Sequence, residues 1–183
     1  MRKLIFDMLV TLDGFYAGPQ GEIDWHEDYV DQDHFRYSTE LLARVDTLIF
    51  GRVTYELMAG YWPTAPADAI ADAMNARHKL VFSRTLKEVR WQNSRLAQGE
   101  AGAEISRLKQ VPGKDMVIFG SANLANTFLN LDLVDEFQIF VCPMFLGSGK
   151  SLFPGLLRRH KLKFMQTRPF ASGMVGLILE PAR

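Results

Sequence analysis

The stretch MVIFGSANLANTFLNL at 116–131 constrains the fold more than any other. Met116-Val117-Ile118-Phe119 is a short apolar run of the kind that forms a buried strand. Gly120 lets the chain turn sharply and lets another group approach the backbone. Ser121 stands where a helix N-cap is expected, and Leu124, Phe128 and Leu131 recur at helical spacing. A strand that feeds a helix through Gly-Ser leaves unpaired N–H groups at the helix start, and these attract an anion. The same turn also joins strand to helix in α/β domains with nothing bound there, so the stretch alone leaves both readings open.

The rest of the chain repeats the alternation. Lys3 to Val10 reads as a first strand, left through Leu12-Asp13-Gly14-Phe15 into a polar loop with Gly18-Pro19-Gln20-Gly21. Glu27 to Val45 has helical spacing, Thr47 to Phe50 is a strand ending at Gly51, and Arg52 to Tyr61 is a short helix. After Pro63 and Pro66 come a helix at Ala67 to Ala76, a strand at His78 to Ser83 and a helix at Glu100 to Lys109. A strand at Glu136 to Cys142 follows the 116–131 unit. Two strands near Leu162–Thr167 and Met174–Leu179 close the chain, with Gly173 at the turn. Strands alternating with helices and then a pair of consecutive strands predict a three-layer α/β fold. Its central sheet is mostly parallel, covered on both faces, with a C-terminal antiparallel hairpin at the edge. One domain over 1–183 is expected, with no repeat, linker or low-complexity tract. Ligand crevices in such sheets open at the carboxyl ends of the strands.

Lys plus Arg equals Asp plus Glu, 21 each, which argues against a general nucleic-acid binder. The one cysteine, Cys142, excludes an internal disulfide, and in the apolar run FVCPMF it reads as a core thiol. No apolar run approaches the roughly 20 residues of a membrane span. In MRKLIFDMLV, Asp7 interrupts the apolar part, so the start reads as a strand and not as a signal peptide. A cytoplasmic protein is expected.

Three strand ends have the same kind of content: Gly51-Arg52-Val53-Thr54, Ser83-Arg84-Thr85 and Gly120-Ser121-Ala122-Asn123. A cation such as Arg52 in the first turn of a helix opposes the helix dipole by a few tenths to about 1 kcal/mol, and becomes favourable once an anion sits there. Either arginine alone could equally be a solvated surface residue. Together with Thr54, Ser83 and Ser121, the three ends would hold a pyrophosphate and one further phosphate. There is no G-x-G-x-x-G and no acid placed for a ribose hydroxyl. Gly149-Lys150-Ser151 resembles the end of a Walker A loop, but its first glycine would fall at Met144, and Pro154 cuts short the helix it needs. His26, His34, His78 and His160 show no metal spacing with one another or with Cys142, so no metal is expected. No G-x-S-x-G or Cys–His pattern argues for nucleophilic catalysis. The acidic loop at 22–28 reads as a solvated helix start. Asp13, between a buried strand and Gly14, should lie near the crevice, though Asp-Gly is also an ordinary turn pair.

At these residues the sequence resembles the dihydrofolate-reductase-like superfamily, and within it the reductase domain of riboflavin biosynthesis, the RibD C-terminal domain. The matching pieces are Thr11-Leu12-Asp13-Gly14, Gly51 to Glu56, Phe82-Ser83-Arg84, Gly120 to Leu124, Val134-Asp135-Glu136, and Pro143 to Gly147 with Leu152-Phe153. The resemblance implies an NADPH-dependent reductase of a small heterocycle. The leading substrate is 5-amino-6-(5-phosphoribosylamino)uracil, and the rival reading is a non-catalytic nucleotide-binding or regulatory protein on the same fold. By resemblance Gly51, Arg52 and Thr54 face the adenosine phosphates, Ser83 and Arg84 the 2′-phosphate, and Gly120, Ser121, Ala122, Asn123 and Leu124 the pyrophosphate. Asp13 is the implied catalytic and substrate-side residue, with Trp25, Leu146, Gly147 and Phe153 beside it. Aligning Trp25 with the Trp of true dihydrofolate reductases puts Val30 where those enzymes hold a pterin-anchoring carboxylate, with Asp28 and Asp31 out of phase. That argues against folate as the substrate. The riboflavin enzyme usually joins this domain to a zinc deaminase, and this chain resembles the stand-alone type. A homodimer is expected from the resemblance and from the apolar stretch Phe137 to Phe145.

Overall fold

The structure, a computed structural model, describes residues 1–182. Strand β1 (Leu4–Thr11) is buried along nearly its whole length, as a strand must be when helices cover both faces of its sheet. After it come β2 (Phe15–Ala17), α1 (Gln32–Arg44), β3 (Val45–Gly51), α2 (Arg52–Tyr61), α3 (Ala69–Ala76), β4 (His78–Phe82) and β5 (Ser94–Leu96). The second half runs α4 (Ala101–Gln110), β6 (Asp115–Phe119), α5 (Ala122–Asn130), β7 (Glu136–Cys142), β8 (Lys150–Ser151), β9 (Leu162–Pro169) and β10 (Val175–Pro181). Eight strands form one sheet in the order β5-β4-β3-β6-β1-β7-β10-β9. All its pairings are parallel except those of β10 with β7 and β9. The expected parallel sheet with a closing antiparallel hairpin is therefore present, and Gly173 turns that hairpin at φ +85°.

Three details differ from the sequence reading. Helix α1 starts at Gln32 and not near Glu27, because Asp31 caps it by accepting the His34 N–H at 2.8 Å. The residues before it, Asp24–Asp28, form a separate 3-10 turn that buries Trp25. Strand β5 and the small antiparallel pair β2–β8 add two or three residues each.

The strand order creates the crevice. From β3 the chain passes through α2 and α3 to β4 on one side; from β6 it passes through α5 to β7, beyond β1 on the other. Right-handed crossovers in opposite directions put helices on opposite faces. The two cores follow that division. Ile5, Leu48, Phe50 and Val117 pack with Leu41, Leu42, Tyr55, Ile70 and Met74 of α1, α2 and α3. Phe6, Ile49 and Ile118 pack with Ile105, Ala125 and Phe128 of α4 and α5. The chains leaving β3 and β6, which are neighbours, thus part to opposite faces and leave a gap at their carboxyl ends.

A third, smaller core joins Trp25, Phe140, Cys142, Phe170 and Met174. Burial there pushes the Cys142 thiol up to about 12, which keeps it protonated and unreactive. Most of the apolar stretch 137–145 is β7, an internal strand between β1 and β10, so burial in the sheet accounts for it.

Candidate active site

Two helix starts meet at the β3/β6 gap. Gly51 ends β3 in extended conformation, and α2 begins at Arg52. Gly120 and Ser121 both adopt left-handed backbone, at φ +59° and φ +54°, and swing the chain from β6 into α5. Ser121 occupies the N-cap position but does not cap its own helix. Its hydroxyl accepts the Gly51 N–H at 2.8 Å and donates to Thr54 Oγ1 at 2.8 Å. The two turns are close: a Cβ on Gly51 would lie 3.3 Å from Ser121 Oγ, and one on Gly120 would lie 3.5 Å from Thr54 Cγ2.

This arrangement leaves both helix ends open. Helices α1 and α3 are capped by the Asp31 and Asp68 carboxylates. Helices α2 and α5 have no side-chain cap and no acid in the first turn. Their first N–H groups, the positive ends of two helix dipoles, are available to an anion. Arg52 adds a guanidinium, held by Glu56 one turn on at 2.8 Å, with both side chains nearly half exposed.

A cavity of about 660 Å³ opens here. Gly51, Arg52, Thr54, Gly120, Ser121, Ala122, Asn123 and Leu124 all line it, so the structure brings these expected cofactor residues together. Leu42, Leu57, Met58, Trp62, Met74 and Phe119 give it an apolar wall. Val30 lines it too, while Asp31 is committed to the His34 and Ser172 N–H groups.

Ser83 and Arg84 are not on that wall. They follow β4, whose Phe82 pairs with Gly51, so they stand one strand further out at the same sheet edge. Ser83 Oγ holds the local turn by accepting the Thr85 and Leu86 N–H groups at 3.1 and 2.9 Å, and Arg84 is exposed.

The expected substrate residues are not brought to the cavity either. Asp13 accepts the Thr11 hydroxyl at 2.5 Å and the N–H groups of Leu146 and Gly147 at 3.2 and 2.8 Å. The Thr11 hydroxyl, then the Gly147 and Leu146 amides, hold its carboxyl below the usual range. Asp13 therefore pins the 146–147 loop to the end of β1. Trp25 belongs to the third core, edge-on to the His26 ring at 4.1 Å. Phe153 packs edge-to-face on Phe6 at 6.3 Å, over the opposite face of the sheet from the α1 core.

Five titratable residues on the cavity wall were not picked out as site residues from the sequence: Asp7, Tyr16, His26, His34 and Lys150. Along β1, Leu4, Phe6 and Met8 face the α4–α5 core, so Asp7 shares the α1 face with Ile5. Asp7 is 7% exposed, and its carboxyl has no hydrogen-bond or ion-pair partner among the described residues. Burial pushes it up to about 8. Burial also pushes His26 and His34 down to about 4 each. His26 Nε2 is buried without a hydrogen-bond partner among the described residues, and the His34 ring lies against Phe140 and Phe170 at 5.3 and 5.9 Å. The signal for Asp7 was present: a single acid inside LIFDMLVT, a strand otherwise apolar apart from its last residue. Among the described residues no cluster of three His, Cys, Asp or Glu could hold a metal, and no helix is long and apolar enough to cross a membrane.

The sheet order, the hairpin and the two open helix starts define a dihydrofolate-reductase-like α/β domain. The chain belongs to the RibD C-terminal domain family, whose model matches residues 2–176. It is 37% identical over 185 residues to the uncharacterized protein YyaP of Bacillus subtilis, covering 97% of this chain and 94% of that one. A putative riboflavin biosynthesis protein from Shewanella sp. PV-4 superposes with a TM-score of 0.79 at 24% identity over 100% of both chains. Dihydrofolate reductase from Enterococcus faecalis, solved in complex with NADP(H), superposes at 0.68 with 15% identity, covering 99% of this chain and 97% of the other. These last two likenesses establish the shared fold.

Proposed function

We propose that the protein is an NADPH-dependent reductase of a small heterocyclic substrate, with 5-amino-6-(5-phosphoribosylamino)uracil as the first compound to test. One observation carries the reading: two uncapped helix N-termini, tied together by Ser121, open onto the wall of a largely apolar cavity. An N–H-lined cradle beside an apolar slot suits a dinucleotide, whose pyrophosphate is anionic and whose nicotinamide ring is flat and weakly polar. The glycines at 51 and 120 suit it as well: a Cβ on Gly51 would press on the Ser121 hydroxyl, and Gly120 holds a left-handed backbone at φ +59°. Gly51, Arg52, Thr54 and Gly120 to Leu124 would hold the phosphates. Ser83 and Arg84, at the neighbouring strand end, are assigned to the additional phosphate that separates NADPH from NADH. The NADP(H) complex of the Enterococcus faecalis neighbour supports the same cofactor class. When bound, the nicotinamide supplies the reducing electrons; the chain binds, orients and keeps water out.

The same reading includes a cytoplasmic homodimer. The outer strand β9 supports the dimer: it exposes Leu162, Phe164 and Met165 on an unpaired sheet edge. Light scattering after size exclusion tests it at micromolar concentration, with Phe164→Asp expected to give monomer.

The test of the cofactor is a thermal-shift comparison of NADPH with NADH. A ligand at 100 times its dissociation constant stabilises by about 2.7 kcal/mol. NADPH is expected to raise the unfolding temperature clearly more than NADH. Equal or absent shifts would remove the reading, and tight binding with no NADPH oxidation would point to the regulatory alternative.

A further inference from the structure

Among the described residues, Asp7 is the one acid on the cavity wall. It is more than nine-tenths buried and unpartnered among the described residues, in a strand whose neighbours Phe119 and Gln138 belong to β6 and β7. Its own carbonyl accepts the N–H of Gly120, so it sits beside the turn that opens α5. An acid in that position is unfavourable for stability unless something else enters the cavity to meet it. Two cations, Arg52 and Lys150, line the same cavity, but neither forms an ion pair with Asp7 among the described residues, and Arg52 is held by Glu56. The titratable groups that share its surroundings are His34 and Tyr37 on α1, His26 on the 3-10 turn, Tyr16 on β2 and Lys150 on β8. Both histidines are held neutral by burial, and burial, then the Asp7 and Glu136 charges, push the Tyr37 hydroxyl upward. The Arg44 and Arg168 guanidiniums lie further out, paired to Glu136 and Glu40.

We infer that Asp7 is the proton donor of this site, giving its carboxyl proton to the heteroatom of a C=N or C=O bond reduced in the cavity. The inference rests on the reductase reading above. The carbon of that bond receives two electrons and one hydrogen from the reduced nicotinamide. The π pair moves onto nitrogen or oxygen and takes the Asp7 proton. The carboxylate left behind recovers a proton from solvent, so each turnover consumes one NADPH and one proton. A carboxyl that burial keeps protonated at neutral pH is suited to that step.

The experiment uses the wild-type protein and Asp7→Asn, each followed by NADPH titration, by NADPH oxidation with 5-amino-6-(5-phosphoribosylamino)uracil and with a cyclic imine, and by infrared difference spectroscopy without ligands. The expected result is NADPH affinity within about threefold of wild type but turnover lowered at least about 100-fold in Asp7→Asn. The wild-type rate falls as pH rises through 8, and a protonated-carboxyl band disappears over the same range. That band is absent from Asp7→Asn. Oxidation of NADPH by Asp7→Asn at the wild-type rate, or a carboxyl already ionised at neutral pH, overturns the assignment of Asp7 alone. No NADPH binding, or no oxidation by the wild type with either probe, overturns the reductase reading and this role together.

Discussion

Ser121 donates its hydroxyl to Thr54 across 2.8 Å, joining the first turn of α2 to the turn that precedes α5. The same oxygen takes the Gly51 N–H. A residue placed to cap one helix instead braces the start of another. The arrangement depends on the left-handed backbone at Ser121, which turns the side chain away from its own helix. Its consequence is electrostatic, since neither set of helix N–H groups is used up internally.

Ser121→Ala removes both bonds and leaves the Gly51 N–H without its partner. The expected loss is about 1–3 kcal/mol in urea unfolding, together with a weaker NADPH-induced thermal shift. Thr54→Val keeps the Ser121–Gly51 bond and should cost about 1 kcal/mol. A Ser121→Ala protein as stable as wild type would show that the brace has no energetic role.

Arg52 should separate binding from stability. Its pair with Glu56 is exposed and spans one helical turn, so Arg52→Ala is expected to change stability by less than about 0.5 kcal/mol. Losing a charge-assisted contact to phosphate should weaken NADPH roughly tenfold. Glu56→Gln frees the guanidinium and should tighten binding modestly. Isothermal titration of the three proteins checks all of this, and equal affinities would take Arg52 out of the site.

The half-buried histidines make stability fall with acid. Folded His26 and His34 titrate near 4, against an ordinary value of 6.5. Between those values the unfolded chain binds more protons, so their contribution is complete above pH 6.5 and is lost as pH falls toward 4. Asp7 acts oppositely, because its folded value near 8 exceeds the ordinary 3.8 and its folded form keeps a proton the unfolded chain releases. Two histidines against one carboxyl leave a net slope of about 1 kcal/mol per pH unit near pH 5. The lowered carboxyls of Asp13, Asp31, Glu104 and Glu136 add to it with the same sign. Asp7→Asn should therefore steepen the measured slope by about 1 kcal/mol per pH unit, and His34→Asn should flatten it by about as much. Urea melts across that range measure both, and a slope indifferent to either substitution would refute the burial assigned here.

Much of this fold was legible because its signals are local. Helix α2 begins after Gly51 and β7 spans Glu136–Cys142 as read, since a glycine boundary and an unbroken apolar run need no long-range information. Strands β5 and β8 escaped because two or three residues pair only through distant partners. The site divided in the same way. Strand-end content pointed to Gly51–Thr54, Gly120–Leu124 and Ser83–Arg84 alike, but only β3 and β6 send their chains to opposite faces, and that follows from strand order. Asp13 drew notice by lying at a strand end. Asp7 did not, because its value depends on which face of β1 a cavity occupies.

Asp13 yields the last prediction. Its carboxylate gathers one hydroxyl and two loop amides, and its place is off the cavity wall. Asp13→Ala removes all three acceptor contacts, and Gly147, at φ +77°, loses the bond that fixes its N–H. The 146–147 loop should then open more often. Hydrogen exchange at the Leu146 and Gly147 amides is expected to accelerate at least about tenfold, with a lower unfolding temperature. The NADPH-induced shift should persist, because no phosphate contact assigned above involves this loop. Loss of the shift with loop protection intact would place Asp13 in cofactor binding and contradict its position at the end of β1.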